Sequence, residues 1–496
     1  MPGDGTGPPV DRLYAGTPLK AFCGTLVRAP MSSVRTEEDS LGKREVPAEA
    51  YYGIQTLRAL ENFPVSGLRA SPHLIRAYAL LKWACAEVNV SLGVLDAERG
   101  RAIEQAAREV AEGRFRDQFV VDVFQAGAGT SFHMNVNEVL ANRALELMGQ
   151  PRGKYSALSP NDHVNFGQST NDTFPSAAQV AALFALAEVR AAVQILSAGL
   201  RRKGDEFRGA AKSGRTHLKD AMPVTLGAEF RAYATALDRI LETLPGVEAA
   251  LAEIPLGGNA VGTGVNTKGG FRSEAVRQYA ARCKLALRVA RDPFETMQSR
   301  WPLAAASAWL KTLALELTRI ANDLRLLSSG PATGFDEIRV PEIQPGSSIM
   351  PGKVNPSAAE CLNQIAFRVI ASDLAVSLAV QAGQLEINVM MPIAAYEVLF
   401  SSAILAQYLP VFTRTCIEGI TTNPSNLQRY LSSSSALLTI LTPKFGYLKV
   451  AELVHESART GEPVKKLLVT HHLASAAEAD ALLSPAALAK LAEPVE

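Results

Sequence analysis

The chain has 496 residues, a formal net charge of +1 and an isoelectric point near 7.7. Apolar residues make up 47% of it and charged residues 20%, which is the composition of an ordinary soluble globular protein. This balance leaves no strong basic or acidic field, so we expect neither a nucleic-acid nor a membrane partner. The length predicts two or three domains, or one elongated helical body.

The first segment, residues 1–34, is rich in Gly and Pro and lacks the layout of a secretory signal. We interpret it as a disordered extension; a transit peptide is the alternative, but Asp4 and Asp11 disfavour the amphipathic helix that it needs. No uncharged apolar run reaches the roughly 18 to 20 residues of a bilayer span, so no membrane segment is expected. The five cysteines show no paired or metal-ligand spacing, which predicts reduced thiols and a cytoplasmic protein.

Long stretches with apolar residues at alternating three- and four-residue steps follow along the chain. This spacing predicts α-helices longer than the mean globular helix of about 11–12 residues. The expected helices are 176–205, 226–253, 298–328, 357–383 and 392–417. Helices of this length predict an all-α fold built on a bundle.

The helical pattern also predicts the domain boundaries. We expect an N-terminal helical domain at 35–174 and a central long-helix bundle at 175–423. After Asn423, prolines and glycines break the pattern into short pieces, which predicts a small C-terminal helical domain at 424–496.

Segments dense in Gly, Ser, Thr and Asn separate the helices, and we expect them to be loops that carry function. They are 125–137, 159–173, 213–221, 256–267 and 343–356. Hydroxyl and amide donors bind carboxylates well through charge-assisted hydrogen bonds. The glycines of 256–264 match no nucleotide-binding pattern and the histidines have no zinc-ligand spacing, so we expect no cofactor and no metal.

The most specific of these segments is GSSIMPGKVNP, residues 346–356. It combines the hydroxyls of Ser347 and Ser348 with a cation, Lys353, and an amide, Asn355, among glycines and prolines. These groups suit a mobile lid over an anionic substrate. The alternative for this motif alone is a turn with solvated polar residues.

Taken together, the motifs resemble those of the aspartase/class II fumarase superfamily, in family order from about residue 35 onward. They are GSSIMPGKVNP, QSTND (168–172), GRTHLKDA (214–221), GTGVNT (262–267) and VPAEAYYGIQTLRALENF (46–63). The resemblance implies three helical domains around a central bundle of long helices and a small dicarboxylate substrate. It also implies a homotetramer whose active sites are shared between three subunits.

The resemblance further implies roles for individual residues. Ser347 would be the general base that removes a proton from the carbon next to the substrate carboxylate, and Glu360 would orient His217. The substrate would contact Thr130, Ser131, Ser169, Thr170, Asn171, Thr216, Ser348, Lys353 and Asn355.

Within this substrate set, the two carboxylates would have different partners. Lys353 and Asn355 would hold one carboxylate. The carboxylate that becomes the enediolate would be held by Thr130, Ser169, Thr170 and Ser348. The amino or hydroxyl group would face Asn171, Thr216 and His217.

Several positions favour an aspartase over a fumarase. They are Tyr52 and Leu57 in YYGIQTL, Ala126 and Ala128 in QAGAGT, and the segment 382–392. The balance favours conversion of L-aspartate to fumarate and ammonia, through removal of a Cβ proton and an aci-carboxylate intermediate.

Other positions keep a fumarate hydratase open as the alternative. Pro345, Gly352 and Asp162 also suit fumarases, and His217 occurs in both groups. Ser159, by contrast, stands where fumarases carry histidine.

Phe132 and His133 depart from the family, which usually has Thr-Asn there. We interpret them as drift that neighbouring residues compensate, and His133 would also mimic the donor role of the amide. The alternative is a pocket reshaped for another amino dicarboxylate. A hypothesis from a different class is an inactive helical scaffold, but the complete set of polar motif residues argues against it.

Overall fold

The computed structural model describes residues 33–484 except 435, 436, 438 and 440, together with residue 487. The extension expected at 1–34 therefore lies almost wholly outside the described residues. The described residues are mainly helical, with short two-stranded sheets, so the all-α prediction is confirmed.

The helices differ widely in length. In chain order they are α1 (Ile54–Asn62), α2 (Pro72–Ser91), α3 (Ala97–Ala111), α4 (Thr130–Leu147), α5 (Thr170–Glu206), α6 (Leu226–Leu251), α7 (Phe271–Cys283), α8 (Pro293–Gln298), α9 (Trp301–Leu327), α10 (Ser357–Gln381), α11 (Met391–Thr415), α12 (Pro424–Ser433), α13 (Thr442–Phe445), α14 (Tyr447–Thr460), α15 (Val464–Thr470) and α16 (Ala476–Leu482). The expected long helices correspond to α5, α6, α9, α10 and α11.

The strands pair two by two. They are β1 (Val34–Asp39), β2 (Gly42–Pro47), β3 (Ala211–Thr216), β4 (Lys219–Thr225), β5 (Glu253–Ile254), β6 (Arg288–Val289), β7 (Ile338–Arg339) and β8 (Thr421–Thr422). The pairs β1–β2, β3–β4 and β7–β8 are antiparallel, and β5–β6 is parallel.

Three of the expected loops are wrong in part. Segment 125–137 contains the start of α4, segment 159–173 contains the start of α5, and 213–221 lies in the β3–β4 hairpin. Polar residues at a helix start or a hairpin turn resemble a loop in composition, because both must satisfy backbone groups with side chains. Segment 343–356 has no helix or strand and is a loop as expected.

The chain divides into two compact units. Unit one comprises Met1–Ala181, Ala252–Arg300 and Ala379–Tyr396. Unit two comprises Ala182–Leu251, Trp301–Leu378 and Glu397–Glu496. The three domain boundaries expected from the sequence stay a prediction.

In unit one, α2 packs against α3 and α7. Ser71 caps α2 by accepting a hydrogen bond from the His73 backbone, and Pro72 occupies the first turn, where its missing N–H costs nothing. Small and apolar side chains such as Ala77 and Leu81 are fully buried on this helix. In turn, α3 packs against α4, whose first turn carries Thr130 and Ser131.

In unit two, α6 packs against α9. The periodic apolar stripe of α9 is buried as its spacing predicts, with Leu313, Leu317 and Ile320 all at 0% exposure. The Trp309 indole N–H donates to the Ile240 carbonyl at 3.1 Å and ties the two helices together.

Three helical segments are long and apolar enough to cross a membrane by length and composition: α5, α10 and Met391–Gly419. Their most apolar windows are 61%, 39% and 50% buried inside the chain. Length and composition therefore do not exclude a membrane span, and its expected absence stays a prediction.

Candidate active site

The start of α4 places Thr130 and Ser131 in the first turn of a helix. Gly129 precedes them in the left-handed region, with a φ of 86°. A Cβ at Gly129 would lie 2.2 Å from the Phe174 ring, so only glycine fits. The glycine allows the two hydroxyls to begin α4 directly against the start of α5.

The start of α5 carries Ser169, Thr170 and Asn171. The Asp172 carboxylate accepts hydrogen bonds from the Ser169 backbone at 2.9 Å and from the Gly257 and Asn259 backbones at 2.9 and 3.0 Å. Burial raises the pKa of Asp172 to about 6, while these N–H donors oppose the shift. Asp172 thereby fixes the segment 256–267 against the helix start.

A hydrogen bond joins these two helix starts. His133, in the first turn of α4, has its Nδ1 atom 2.7 Å from the Thr170 hydroxyl at the start of α5. Helix N-termini carry partial positive charge and free N–H groups, which favour anions. Two adjacent N-termini lined with hydroxyls can bind a carboxylate.

Thr130 and Ser131 also line a cavity of about 590 Å³ within unit one. Its other walls come from the β1–β2 turn, α1 and the segment 159–161. Ser169, Thr170 and Asn171 are not part of this lining. The structure thus brings the two helix starts together but opens only the first of them to this cavity.

Glu138 holds α1 at the wall of the cavity. Its buried carboxylate accepts from the backbones of Gly53 and Gln55 and from the Thr56 hydroxyl, at 2.9, 2.8 and 2.6 Å. A Cβ at Gly53 would lie 2.4 Å from the Tyr155 hydroxyl. This close approach explains the glycine in the YYGIQTL motif.

In unit two, Thr216 and His217 lie at the tip of the β3–β4 hairpin and are exposed. The two turn residues, His217 and Leu218, have left-handed φ angles of 56° and 58°. Two-residue hairpin turns of this hand favour Asn-Gly, and other residues cost roughly 1–2 kcal/mol each there. Such strain in an exposed turn is typical of a functional site.

Buried ion pairs anchor this hairpin. The Lys212 Nζ atom lies 2.8 Å from the Glu337 carboxylate and 3.0 Å from Glu229. Arg215, the residue before Thr216, pairs with Glu337 at 2.7 Å. The Glu337 side chain has 0% exposure, so a fully buried carboxylate fixes the hairpin through its ion pairs.

Ser347 lies at the beginning of an exposed loop. Its hydroxyl oxygen accepts hydrogen bonds from the Ile349 and Met350 backbones at 3.2 and 3.0 Å. The Asn355 amide donates to the Gly346 carbonyl at 2.5 Å and closes the base of the loop. The loop therefore presents Ser347 together with two backbone donors that stabilise negative charge on its oxygen.

Two other predicted residues lie in this loop, and a third lies in the helix that follows it. Ser348 and Lys353 are exposed, and Glu360 lies in the first turn of α10. Within the described residues of one chain, no hydrogen bond joins Glu360 to His217. The predicted carboxylate–imidazole pair is therefore not formed inside a single chain and stays a prediction.

Sequence reasoning missed Lys82. It lies in α2 with 0% exposure, and its Nζ atom is 2.8 Å from the His133 ring. The sequence feature that could have indicated a buried lysine is the single cation in the apolar run AYALLKWACA. Among the described residues, no group of three or more His, Cys, Asp or Glu is arranged to hold a metal.

Comparison with known proteins identifies the class. A family model described as lyase matches residues 42–371, and one described as fumarase C C-terminus matches residues 437–490. An aspartate ammonia-lyase from a Bacillus species is 42% identical over 92% of this chain and 97% of its own length. A class II fumarate hydratase from Halobacterium salinarum is 43% identical over 91% of this chain and 96% of its own length.

A solved structure agrees with these matches. The cobalt-bound fumarate lyase:delta crystallin from Brucella melitensis superimposes with a TM-score of 0.90 at 41% identity, covering 93% of this chain and all of that one. The chain belongs to the aspartase/class II fumarase superfamily, as its motifs predict. It is an enzyme, and its reaction is that of a lyase.

Proposed function

We propose that the enzyme is a carbon–nitrogen lyase that converts L-aspartate reversibly to fumarate and ammonia. Curated relatives named aspartate ammonia-lyase at 42–44% identity support this reaction. Identity alone does not choose the leaving group, since a class II fumarate hydratase is 43% identical. The choice depends on residues near the substrate.

One backbone contact brings two of the aspartase-like segments together next to the candidate site. The Ala128 backbone N–H donates to the Val389 carbonyl at 2.7 Å. This bond joins the two aspartase-like segments, QAGAGT and 382–392, directly beside Thr130. Two of the three aspartase-like features thus lie together next to a candidate carboxylate-binding residue.

In the proposed mechanism, Ser347 takes the Cβ proton of aspartate. A serine hydroxyl is a weak base, and its deprotonated form needs stabilisation. The N–H groups of Ile349 and Met350 supply this, because they already point at the hydroxyl oxygen. The electron pair of the broken C–H bond moves into the neighbouring carboxylate and gives the aci-carboxylate.

The hydroxyls at the starts of α4 and α5 stabilise this dianionic carboxylate, because donors aimed at developing charge lower the barrier. Lys353 and Asn355 hold the other carboxylate. When the electron pair returns, the carbon–nitrogen bond breaks and ammonia leaves, with Asn171, Thr216 and His217 around the amino group. In this scheme no cofactor takes part, and we place the reaction in the cytoplasm.

The proposal is tested by comparing substrates. The purified enzyme is given L-aspartate and L-malate separately, and fumarate is followed by the ultraviolet absorbance of its double bond. We expect kcat/KM for L-aspartate to exceed that for L-malate by at least about 100-fold, the discrimination available to a site built for one polar group. A preference for malate would make it a fumarase, and turnover of neither would point to another amino dicarboxylate or to a scaffold.

We further propose a homotetramer whose sites draw residues from three subunits. An apolar stripe on α10 supports association: Phe367, Leu374 and Leu378 are 57%, 63% and 52% exposed. Their spacing of seven and four residues puts them on one helix face. Exposed apolar faces of this kind mark protein interfaces. In such an assembly His217 and Glu360 can pair between chains.

Replacing Leu374 by glutamate is therefore expected to dissociate the tetramer and to lower activity at least about tenfold, although no candidate site residue changes. Light scattering coupled to size-exclusion chromatography measures the mass. Leu448, which is 78% exposed in the C-terminal region, gives the matched control Leu448→Glu. A Leu374→Glu protein that stays tetrameric and active would contradict this interface.

A further inference from the structure

Lys82 makes three hydrogen bonds inside unit one. Its Nζ atom lies 2.8 Å from His133 Nε2, 2.9 Å from Asn165 Oδ1 and 2.9 Å from Gln168 Oε1. An ammonium group has three N–H donors and no acceptor, so each of these neighbours must accept. Burial lowers the pKa of Lys82 to about 7, against the attraction of the Asp172 carboxylate. Three acceptors around Nζ favour the charged form.

The two amides are fixed with their oxygens towards Lys82. The Asn165 Nδ2 atom donates to the Gln168 carbonyl at 3.1 Å. The Gln168 Nε2 atom donates to the carbonyls of Val164 and Phe166, both at 3.2 Å. Because these N–H groups are occupied by backbone oxygens, neither amide can turn its nitrogen to Lys82. The remaining N–H of Lys82 points at the His133 ring.

The His133 ring is neutral and held in place. Burial, reinforced by the Lys82 charge, keeps its pKa well below the usual value, so the ring carries a single N–H. Tyr78 stacks on the ring with centroids 5.5 Å apart. Since Nε2 accepts from Lys82, the proton resides on Nδ1, 2.7 Å from the Thr170 hydroxyl oxygen.

We propose that Lys82 and His133 are positioning residues that fix the Thr170 hydroxyl as a hydrogen-bond donor to the substrate carboxylate. This inference rests on the proposed function, in which Thr170 contacts that carboxylate. A hydroxyl that accepts from Nδ1 keeps its own proton for another partner. With the other tautomer, Thr170 would donate to the ring and turn its lone pairs towards the carboxylate. Lys82 thus sets the tautomer of the His133 ring, and the ring sets the orientation of the Thr170 hydroxyl.

The hydrogen bonds from Lys82 to His133 and from His133 to Thr170 form a relay. Two substitutions of His133 test these two hydrogen bonds separately. In His133→Asn the side-chain amide can still donate to Thr170 from the place of Nδ1, but Lys82 loses one acceptor. In His133→Gln the longer side chain can still accept from Lys82 at the place of Nε2, but Thr170 loses its donor. We expect His133→Gln to raise KM for L-aspartate about tenfold, the effect of one hydrogen bond to a charged group, with a smaller change in kcat.

The other substitution gives the opposite pattern. We expect His133→Asn to keep KM within about threefold of the wild type and to lower Tm more than His133→Gln, because it leaves a buried Lys82 N–H unpaired. A purely structural role for His133 would make KM and Tm change together in both variants. Equal KM values for the two variants would therefore overturn the relay.

A double-mutant comparison provides the second measurement. In a Thr170→Ala background, His133→Gln should change KM no further, because the hydroxyl it orients is gone. A tenfold effect that persists without the hydroxyl would show that His133 acts on the substrate by another route. The wild-type assay distinguishes failure of the proposed function: if the unaltered enzyme does not turn over L-aspartate, that function fails and the catalytic role of Lys82 and His133 in it fails too. Failure of the relay alone leaves wild-type turnover intact.

Discussion

Replacing Ser347 by alanine is expected to lower kcat for L-aspartate by about 10³-fold, within the range that a positioned general base contributes. The substitution removes the oxygen that takes the Cβ proton. It also removes the acceptor of the Ile349 and Met350 N–H groups, but the Asn355–Gly346 bond remains and keeps the base of the loop closed. KM should change little, because the carboxylates bind elsewhere. Initial rates of fumarate formation over a range of aspartate concentrations measure both constants.

Two serines serve as controls for this loss. Ser348→Ala, one residue further on, should raise KM more than it lowers kcat, since Ser348 is assigned to carboxylate binding. Ser432→Ala, on the exposed side of α12, should change neither constant. If the Ser347→Ala enzyme kept more than about a tenth of the wild-type kcat, Ser347 would not be the general base.

Replacing Glu337 by alanine is expected to destabilise the fold by about 3–5 kcal/mol, the cost of removing one partner of a buried ion pair. Glu337 has 0% exposure and pairs with both Lys212, at 2% exposure, and Arg215. Its loss leaves Lys212 with Glu229 as its remaining ion-pair partner in the described residues and leaves Arg215 beside the strained His217 turn. Denaturant unfolding at fixed protein concentration measures the change in the free energy of unfolding.

The matched control removes a glutamate from an exposed pair. Glu452 contacts Lys449, and their side chains are 68% and 44% exposed, so Glu452→Ala should leave the denaturant midpoint close to that of the wild type. If Glu337→Ala unfolds no more easily than Glu452→Ala, the buried pairs do not hold the hairpin. A destabilised Glu337→Ala enzyme should also lose activity, because the hairpin carries Thr216 and His217.

The long helices could be predicted from the sequence because their signal is local and repeated. The stripe through Leu313, Leu317 and Ile320 recurs every three or four residues, and all three side chains are fully buried. The sequence predicts that α5 begins after Pro175, which is too late, because the helix begins at Thr170 and contains that proline. A proline ends most helical patterns, and the interactions that extend α5 involve the distant backbones of Gly257 and Asn259.

The β3–β4 hairpin could not be predicted from its own residues. Its strands are short and polar, and the groups that stabilise it come from far along the chain, since Arg215 and Glu337 are 122 positions apart. For the same reason the Lys82 network was missed, because its partners His133 and Gln168 lie 51 and 86 positions away. The residue types of the candidate site followed from motifs, whereas the hydrogen bonds that orient them depend on tertiary structure.

The most direct test of the proposed ammonia-lyase reaction is the stoichiometry of products from L-aspartate. Fumarate and ammonia are measured in the same reaction with the wild-type enzyme, and again with Ser347→Ala. We expect equal amounts of both products from the wild-type enzyme and almost none from the variant. Fumarate formed from L-malate, with no ammonia released from L-aspartate, would contradict it.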